Sequence, residues 1–122
     1  MQIEIRGGRL IDPRNGVDRV APLFIDGGRV AALDEAPREW RPARVIDAAR
    51  LIVAPGFIDL AVRLREPGFE YKATLESEMA AAVAGGVTSL ACPPDTDPPL
   101  DEPGLVEMLK HRARLLNQSH VY

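Results

Sequence analysis

The N-terminal third of the chain alternates apolar and polar positions over short stretches broken by glycine. In "QIEIR", Ile3 and Ile5 alternate with polar neighbours and Gly7-Gly8 follows, which predicts a half-buried strand running into a turn. "DPRNG" (12–16) carries proline, asparagine and glycine in turn order. "APLFIDGGRVAAL" places two apolar runs around Asp26-Gly27-Gly28, and that spacing predicts a hairpin because Asp and Gly tolerate positive φ. "EAPREWRPA" (35–43) holds two prolines and reads as a loop, after which "RVID" and "LIVAPGF" resume the strand pattern.

From residue 56 the period changes. "GFIDLAVRL" is nearly continuous in apolar residues, the pattern of a strand covered on both faces. "TLESEMAAAVAGG" (74–86) predicts a helix with Thr74 as its cap, Glu76 and Glu78 in its first turn and Gly85-Gly86 as its stop. "VTSLAC" (87–92) is a further short strand, and "PPDTDPPLDEPG" a proline-rich loop. Leu105, Met108, Leu109, Arg112, Leu115 and Leu116 then recur at helical spacing, so their apolar members form the expected core face, with Asp101 and Pro103 as start signals. "SHVY" opens another strand. The order is several strands followed by β-α-β-α-β, which predicts a parallel sheet with right-handed crossovers. The expected boundary divides 1–54 from 55–122. A half-made parallel strand at Tyr122 leaves backbone unpaired, so the chain is expected to be a fragment.

Composition adds exclusions. The 122 residues are 46% hydrophobic and 27% charged, an ordinary globular balance. A net charge of −3 gives no support to a nucleic-acid or anionic-membrane partner. The single cysteine, Cys92, excludes an internal disulfide and suits a reducing cytosol. Glu4, Arg6 and Arg9 occupy the place of a signal peptide's apolar core, and no run reaches about 18 apolar residues. The expectation is a soluble cytoplasmic protein.

Chemistry in parallel α/β folds gathers at the C-terminal ends of strands, here "DLAVRLREPG" and "ACPPDTDPP". Cys92 reads as a small buried hydrophobe, His111 as a surface residue, His120 as structural, and Gly27-Gly28 and Gly85-Gly86 as turn and cap glycines that fit no phosphate-binding pattern. The two histidines and one cysteine offer no ligand pair at metal-binding spacing.

The stretch "PGFIDLAVRLREPGFEYKATLESEMAAAVAGGVTSLACPPDTDPPLD" resembles the opening of a dihydroorotase, of the amidohydrolase superfamily. The "LREPG" and P-x-T-x-P-P loop are also similar to those of allantoinases and dihydropyrimidinases. The resemblance implies a (β/α)8 barrel with a small β-sandwich flank, of which this chain holds the N-terminal part. In active members the first barrel strand ends in Asp-x-His-x-His, whose imidazoles hold zinc; those positions are Ala61 and Arg63 here. Alanine has no donor, and arginine offers no neutral nitrogen. The family's carboxylate-gripping arginine matches Arg65. Its second-loop asparagine is replaced by Asp95, which would repel a substrate carboxylate and could pair with Arg65 or Arg63. Arg65 could equally be a structural partner of Asp59, Glu66 or Asp95, and Arg63 a solvated strand residue.

The resemblance with these departures implies a pseudo-dihydroorotase with no catalytic residue and no metal, keeping Arg65 and Asp95 as a vestigial substrate site. Such family members partner aspartate carbamoyltransferase in pyrimidine biosynthesis, so that enzyme is the expected partner, with assembly into a homo-oligomer or larger complex. The alternative is an active zinc amidohydrolase of the dihydroorotase, allantoinase or dihydropyrimidinase type, its metal held by later residues.

Overall fold

A computed structural model describes residues 1–122, which divide into two compact units, Met1–Pro55 and Gly56–Tyr122.

The first unit is built from seven strands: β1 (Gln2–Arg6), β2 (Arg9–Asp12), β3 (Val17–Val20), β4 (Leu23–Asp26), β5 (Arg29–Leu33), β6 (Arg44–Asp47) and β7 (Ile52–Val53). They form a four-stranded sheet ordered β5-β4-β1-β6 and a three-stranded sheet ordered β3-β2-β7. The β4–β5 hairpin turns at Gly27 and Gly28, with φ of 56° and 79°, the left-handed pair a two-residue turn needs. Leu10, Val17 and Ala21 form a core joined by Leu23, Leu33 and Val53, so both sheets contribute to it.

Alternation in β1 has an outcome its sequence hides. Ile3 and Ile5 are half-buried, and the charged Glu4 between them is buried. Glu4 stands opposite Phe24 in the sheet, and Trp40 from the 34–43 loop packs edge-on against Phe24 with ring centroids 5.4 Å apart. The loop therefore covers the face that polar alternation would assign to solvent. Glu4 keeps its charge through Arg6, whose Nε donates to it at 2.5 Å.

The second unit contains β8 (Phe57–Asp59), α1 (Leu75–Ala84), β9 (Val87–Leu90), α2 (Pro103–Leu116) and β10 (His120–Val121). The strands are parallel and lie in chain order, β8-β9-β10. Each helical crossover thus adds its strand on the same side, the winding of a sheet extended one βα unit at a time. Thr74 caps α1: the Ser77 amide donates to its hydroxyl at 3.2 Å, and Ser77 Oγ accepts from the Thr74 amide at 3.0 Å. Leu64, Leu75, Met79, Leu90, Leu109, Ala113 and Val121 make the core.

Two expectations are corrected. The apolar stretch 56–64 yields only a three-residue strand, whose Phe57 and Ile58 are about two-thirds exposed; β8 is the edge of its sheet, and no helix of its own unit covers those side chains. On α2 the buried line is Leu109 and Ala113, flanked by half-buried Leu105 and Leu116. Met108 and Leu115 fall outside it, Leu115 being 72% exposed. Alanine at 113, small enough to sit close to the sheet, takes the central place that residue size alone would give to leucine. No helix is long and apolar enough to cross a membrane.

Acid should weaken the first unit. Glu4, Asp12, Asp18 and Asp34 of the first unit are held below the ordinary carboxylate range, chiefly by hydrogen bonds from Arg6, Asn15, Arg9 and Arg19 respectively. In the second unit only Glu70 is so held, by its own backbone N–H and that of Gly68. A depressed carboxylate contributes stability that is present above its unfolded pKa and lost as pH falls through the folded value. Trp40 is the one tryptophan and lies in the first unit, whereas both tyrosines, Tyr71 and Tyr122, lie in the second. On titration below about pH 4, Trp40 emission is expected to change as these first-unit carboxylates protonate. Emission that stays constant through that range would contradict this assignment.

Candidate functional site

The site predicted from sequence lies where β8 and β9 end. Strand β8 stops because the Asp59 carboxylate accepts the Ala61 amide at 2.9 Å, a local turn that competes with ladder pairing. The chain then touches β9 once more, the Val62 amide donating to the Ala91 carbonyl at 3.1 Å. Val62 packs against the core and Leu64 is fully buried within it. Their inward direction leaves Ala61 and Arg63 exposed on the other side of the chain. There the Arg63 Nε donates to Asp95 Oδ2 at 2.6 Å, joining the loop after β8 to the loop after β9. Of the partners open to Asp95 on sequence grounds, it takes Arg63.

Arg65 is placed differently. It is half-buried, adopts a left-handed backbone with φ of 65°, and its carbonyl accepts the Phe69 amide at 2.8 Å. It forms no ion pair with Asp59, Glu66 or Asp95. The structural partner expected for it goes elsewhere: Glu66, only 5% exposed, accepts the Leu75 amide at the first residue of α1 at 2.9 Å and is ion-paired with Arg112 of α2. Sequence reading named Glu66 only as a candidate for Arg65. No local signal marks this role: Glu66 lies nine residues before Leu75, outside the capping positions, and only the fold brings its carboxylate to an amide that has no partner within the helix.

The two loops also meet directly. The Asp97 amide donates to the Pro67 carbonyl at 3.2 Å, and Gly68, at φ 96°, lies so close that a Cβ there would come within 2.1 Å of the Asp97 carbonyl oxygen. Thr96 is buried, its hydroxyl donating to the Pro98 carbonyl at 2.8 Å. Cys92 is half-buried against the core, its thiol 3.6 Å from the Pro93 carbonyl, and burial pushes its pKa up. A thiol so held is a poor nucleophile at neutral pH. His111 and His120 are both exposed, on α2 and β10.

The residues of this chain do not fit a metal at the Asp-x-His-x-His positions. Ala61 brings no donor atom, Arg63 brings a cation already bonded to Asp95, and no three His, Cys, Asp or Glu side chains converge anywhere in the chain. The arrangement can hold two loops together by charge and backbone bonds, and it leaves the Arg65 guanidinium without a charged partner.

Two substitutions test the loop geometry. Gly68→Ala imposes a side chain on a left-handed residue against backbone, and should cost roughly 3 kcal/mol. Glu66→Gln keeps the shape but removes the charge from a buried, bridged carboxylate, and should cost about 2 kcal/mol. Both are read from urea midpoints at unchanged slope. A stability loss below the error of extrapolation for either would refute the role given to that residue.

Comparison with known proteins identifies the family. A sequence model described as Dihydro-orotase-like matches residues 49–122. The chain is 50% identical over all 122 residues to a dihydroorotase-like protein of Pseudomonas putida, spanning 29% of that protein's length. It is also 50% identical over 115 residues to a dihydroorotase of Solibacter usitatus, covering 93% of this chain and 26% of that one. Among solved structures, the L-hydantoinase (dihydropyrimidinase) from Arthrobacter aurescens superposes with a TM-score of 0.72 at 26% identity, covering 91% of this chain and 24% of the hydantoinase. With the loops at the ends of β8 and β9 in place and the match running through both, the chain belongs to the dihydroorotase-like family.

Proposed function

We propose that this chain is the N-terminal part of a non-catalytic dihydroorotase-like protein, a (β/α)8 barrel with a β-sandwich flank retained as architecture in de novo pyrimidine biosynthesis. The observation that carries the reading is the Arg63–Asp95 pair, 2.6 Å apart. It fills with a fixed positive charge the strand end where active relatives, by resemblance, hold zinc on two histidines. A guanidinium there opposes a dication, and Asp95 opposes the carboxylate of dihydroorotate. The frame around these positions is kept: Gly68 packs on Asp97, and Glu66 ties the loop to both helices. Retained scaffolding beside altered ligand positions fits a structural role. The proposed partner is aspartate carbamoyltransferase, and the proposed location is the cytoplasm where that pathway runs; both come from the family resemblance.

One observation favours the alternative, an active amidohydrolase whose metal is held by residues elsewhere. Arg65 has no ion-pair partner among the residues of this chain, as a carboxylate-binding arginine would require. In that reading Arg65 grips substrate while a metal-activated water attacks the ring amide.

The test uses protein expressed from the complete reading frame. Incubated with dihydroorotate, it is expected to form carbamoyl aspartate no faster than buffer. Mixed with aspartate carbamoyltransferase from the same cell, it is expected to co-elute on gel filtration. Turnover that disappears on Arg65→Ala would establish the active alternative. Separate elution at micromolar concentration would remove the proposed partner.

A further inference from the structure

We infer that residues 35–40 form a strap on the four-stranded sheet, latched by the Trp40 indole on the Glu4 carboxylate and free to open without the strands when that carboxylate is neutralised. The inference is independent of whether the whole protein turns over a substrate.

The strap is pinned at both ends and hardly between them. At one end the Asp34 amide donates to the Pro22 carbonyl at 3.2 Å, and the Asp34 carboxylate pairs with Arg19. At the other, the Arg41 amide donates to Gln2 Oε1 at 3.1 Å and the Ala43 amide to the Gln2 carbonyl at 2.8 Å. Residues 36–40 make no hydrogen bond to a strand, and the Trp40 amide donates within the strap, to the Pro37 carbonyl at 3.2 Å. What reaches the sheet from this stretch is the Trp40 ring. Asp34 and Glu39 are left-handed, with φ of 67° and 58°, a conformation that persists in such residues only where the surroundings hold it. Both can relax once the ring lets go.

Glu4 lies where that ring lands. Paired residues of neighbouring strands share a face of the sheet, so Glu4 and Phe24 point the same way, and Trp40 packs edge-on against Phe24. Arg6 Nε takes Oε1 of Glu4 and leaves Oε2 to accept from a second donor. Trp40 Nε1 is buried and bonded to no acceptor, a state that costs free energy and that the spare oxygen of Glu4 relieves. Arg6 is the chief cause of the lowered Glu4 pKa, and the Trp40 N–H adds to it. The other acids on this face stand one residue pair away and are engaged. Asp26, opposite Gln2, accepts from the Gln2 side chain and pairs with the N-terminus; Asp47, opposite Arg6, accepts the Ala49 amide. Val45 is the β6 neighbour of Glu4, and Arg38, Glu39 and Arg41 of the strap segment are exposed. The latch is complete while Glu4 is ionised and is lost as pH falls through its lowered folded value.

The experiment follows the Trp40 indole N–H of the full chain by NMR, assigned by its disappearance in Trp40→Phe, with the amides of β1 and β4 as the sheet control. Glu4→Gln should speed hydrogen exchange of the indole N–H about tenfold and leave the strand amides unmoved. Reciprocally, Trp40→Phe keeps a ring on Phe24 but removes the donor. It should raise the Glu4 titration midpoint, read from its side-chain carboxyl carbon, toward the ordinary carboxylate range. Acidifying the unaltered protein should release the indole N–H at a higher pH than the strand amides. Three results would each overturn the inference: indole exchange unchanged in Glu4→Gln, strand amides losing protection in step with the indole, or a Glu4 midpoint unmoved by Trp40→Phe. Should Glu4→Gln fail to fold, the midpoint in Trp40→Phe decides alone.

Discussion

The second unit depends on one buried carboxylate. Glu66 sits at 5% exposure, yet it reaches three elements at once: its own loop after β8, the first amide of α1 and the guanidinium of Arg112 on α2. A buried charge with fewer partners would be a cost; with an amide and a guanidinium it becomes an anchor. The helix start supplies a partial positive charge as well as a free N–H. Arg63, Arg65 and Gly68 all lie within three residues of this anchor, so the strand-end positions singled out from sequence are placed by a structural interaction.

That arrangement explains how a strand-end site can change without the fold being lost. The core below it, Leu64, Leu75, Met79 and Leu90, is fully buried or within 1% of it and makes no use of Ala61 or Arg63. Outward-pointing residues at 61 and 63 can therefore be exchanged at small cost in packing, provided the charges balance. Asp95 supplies that balance. Gly68 is under a different constraint, because the backbone of the opposite loop fills the space a side chain would need.

Much of this was legible from residues alone. The capping Thr74, the Gly27-Gly28 hairpin and the parallel order of the second unit follow from local rules of φ, capping and crossover. Ala61 and Arg63 could be singled out only through the family resemblance, which sets them at the histidine positions of Asp-x-His-x-His. The remainder depends on packing, which local pattern does not encode. Glu4 is buried because Trp40 arrives from a loop more than 30 residues away, not because of its place in "QIEIR". The length of β8 is set by the Asp59 carboxylate bonding to Ala61, a choice invisible in the run of apolar residues. Likewise Glu66 selects Arg112 over its neighbour Arg65 because α2 brings the former within reach.

The central claim is that the strand end carrying Ala61 and Arg63 is a charge-paired tie and not a metal centre. Zinc stoichiometry, measured by mass spectrometry on protein expressed from the complete reading frame in zinc-supplemented medium, tests it most directly. The account predicts metal far below one equivalent per chain, unchanged by Asp95→Asn. One tightly held zinc per chain would contradict it.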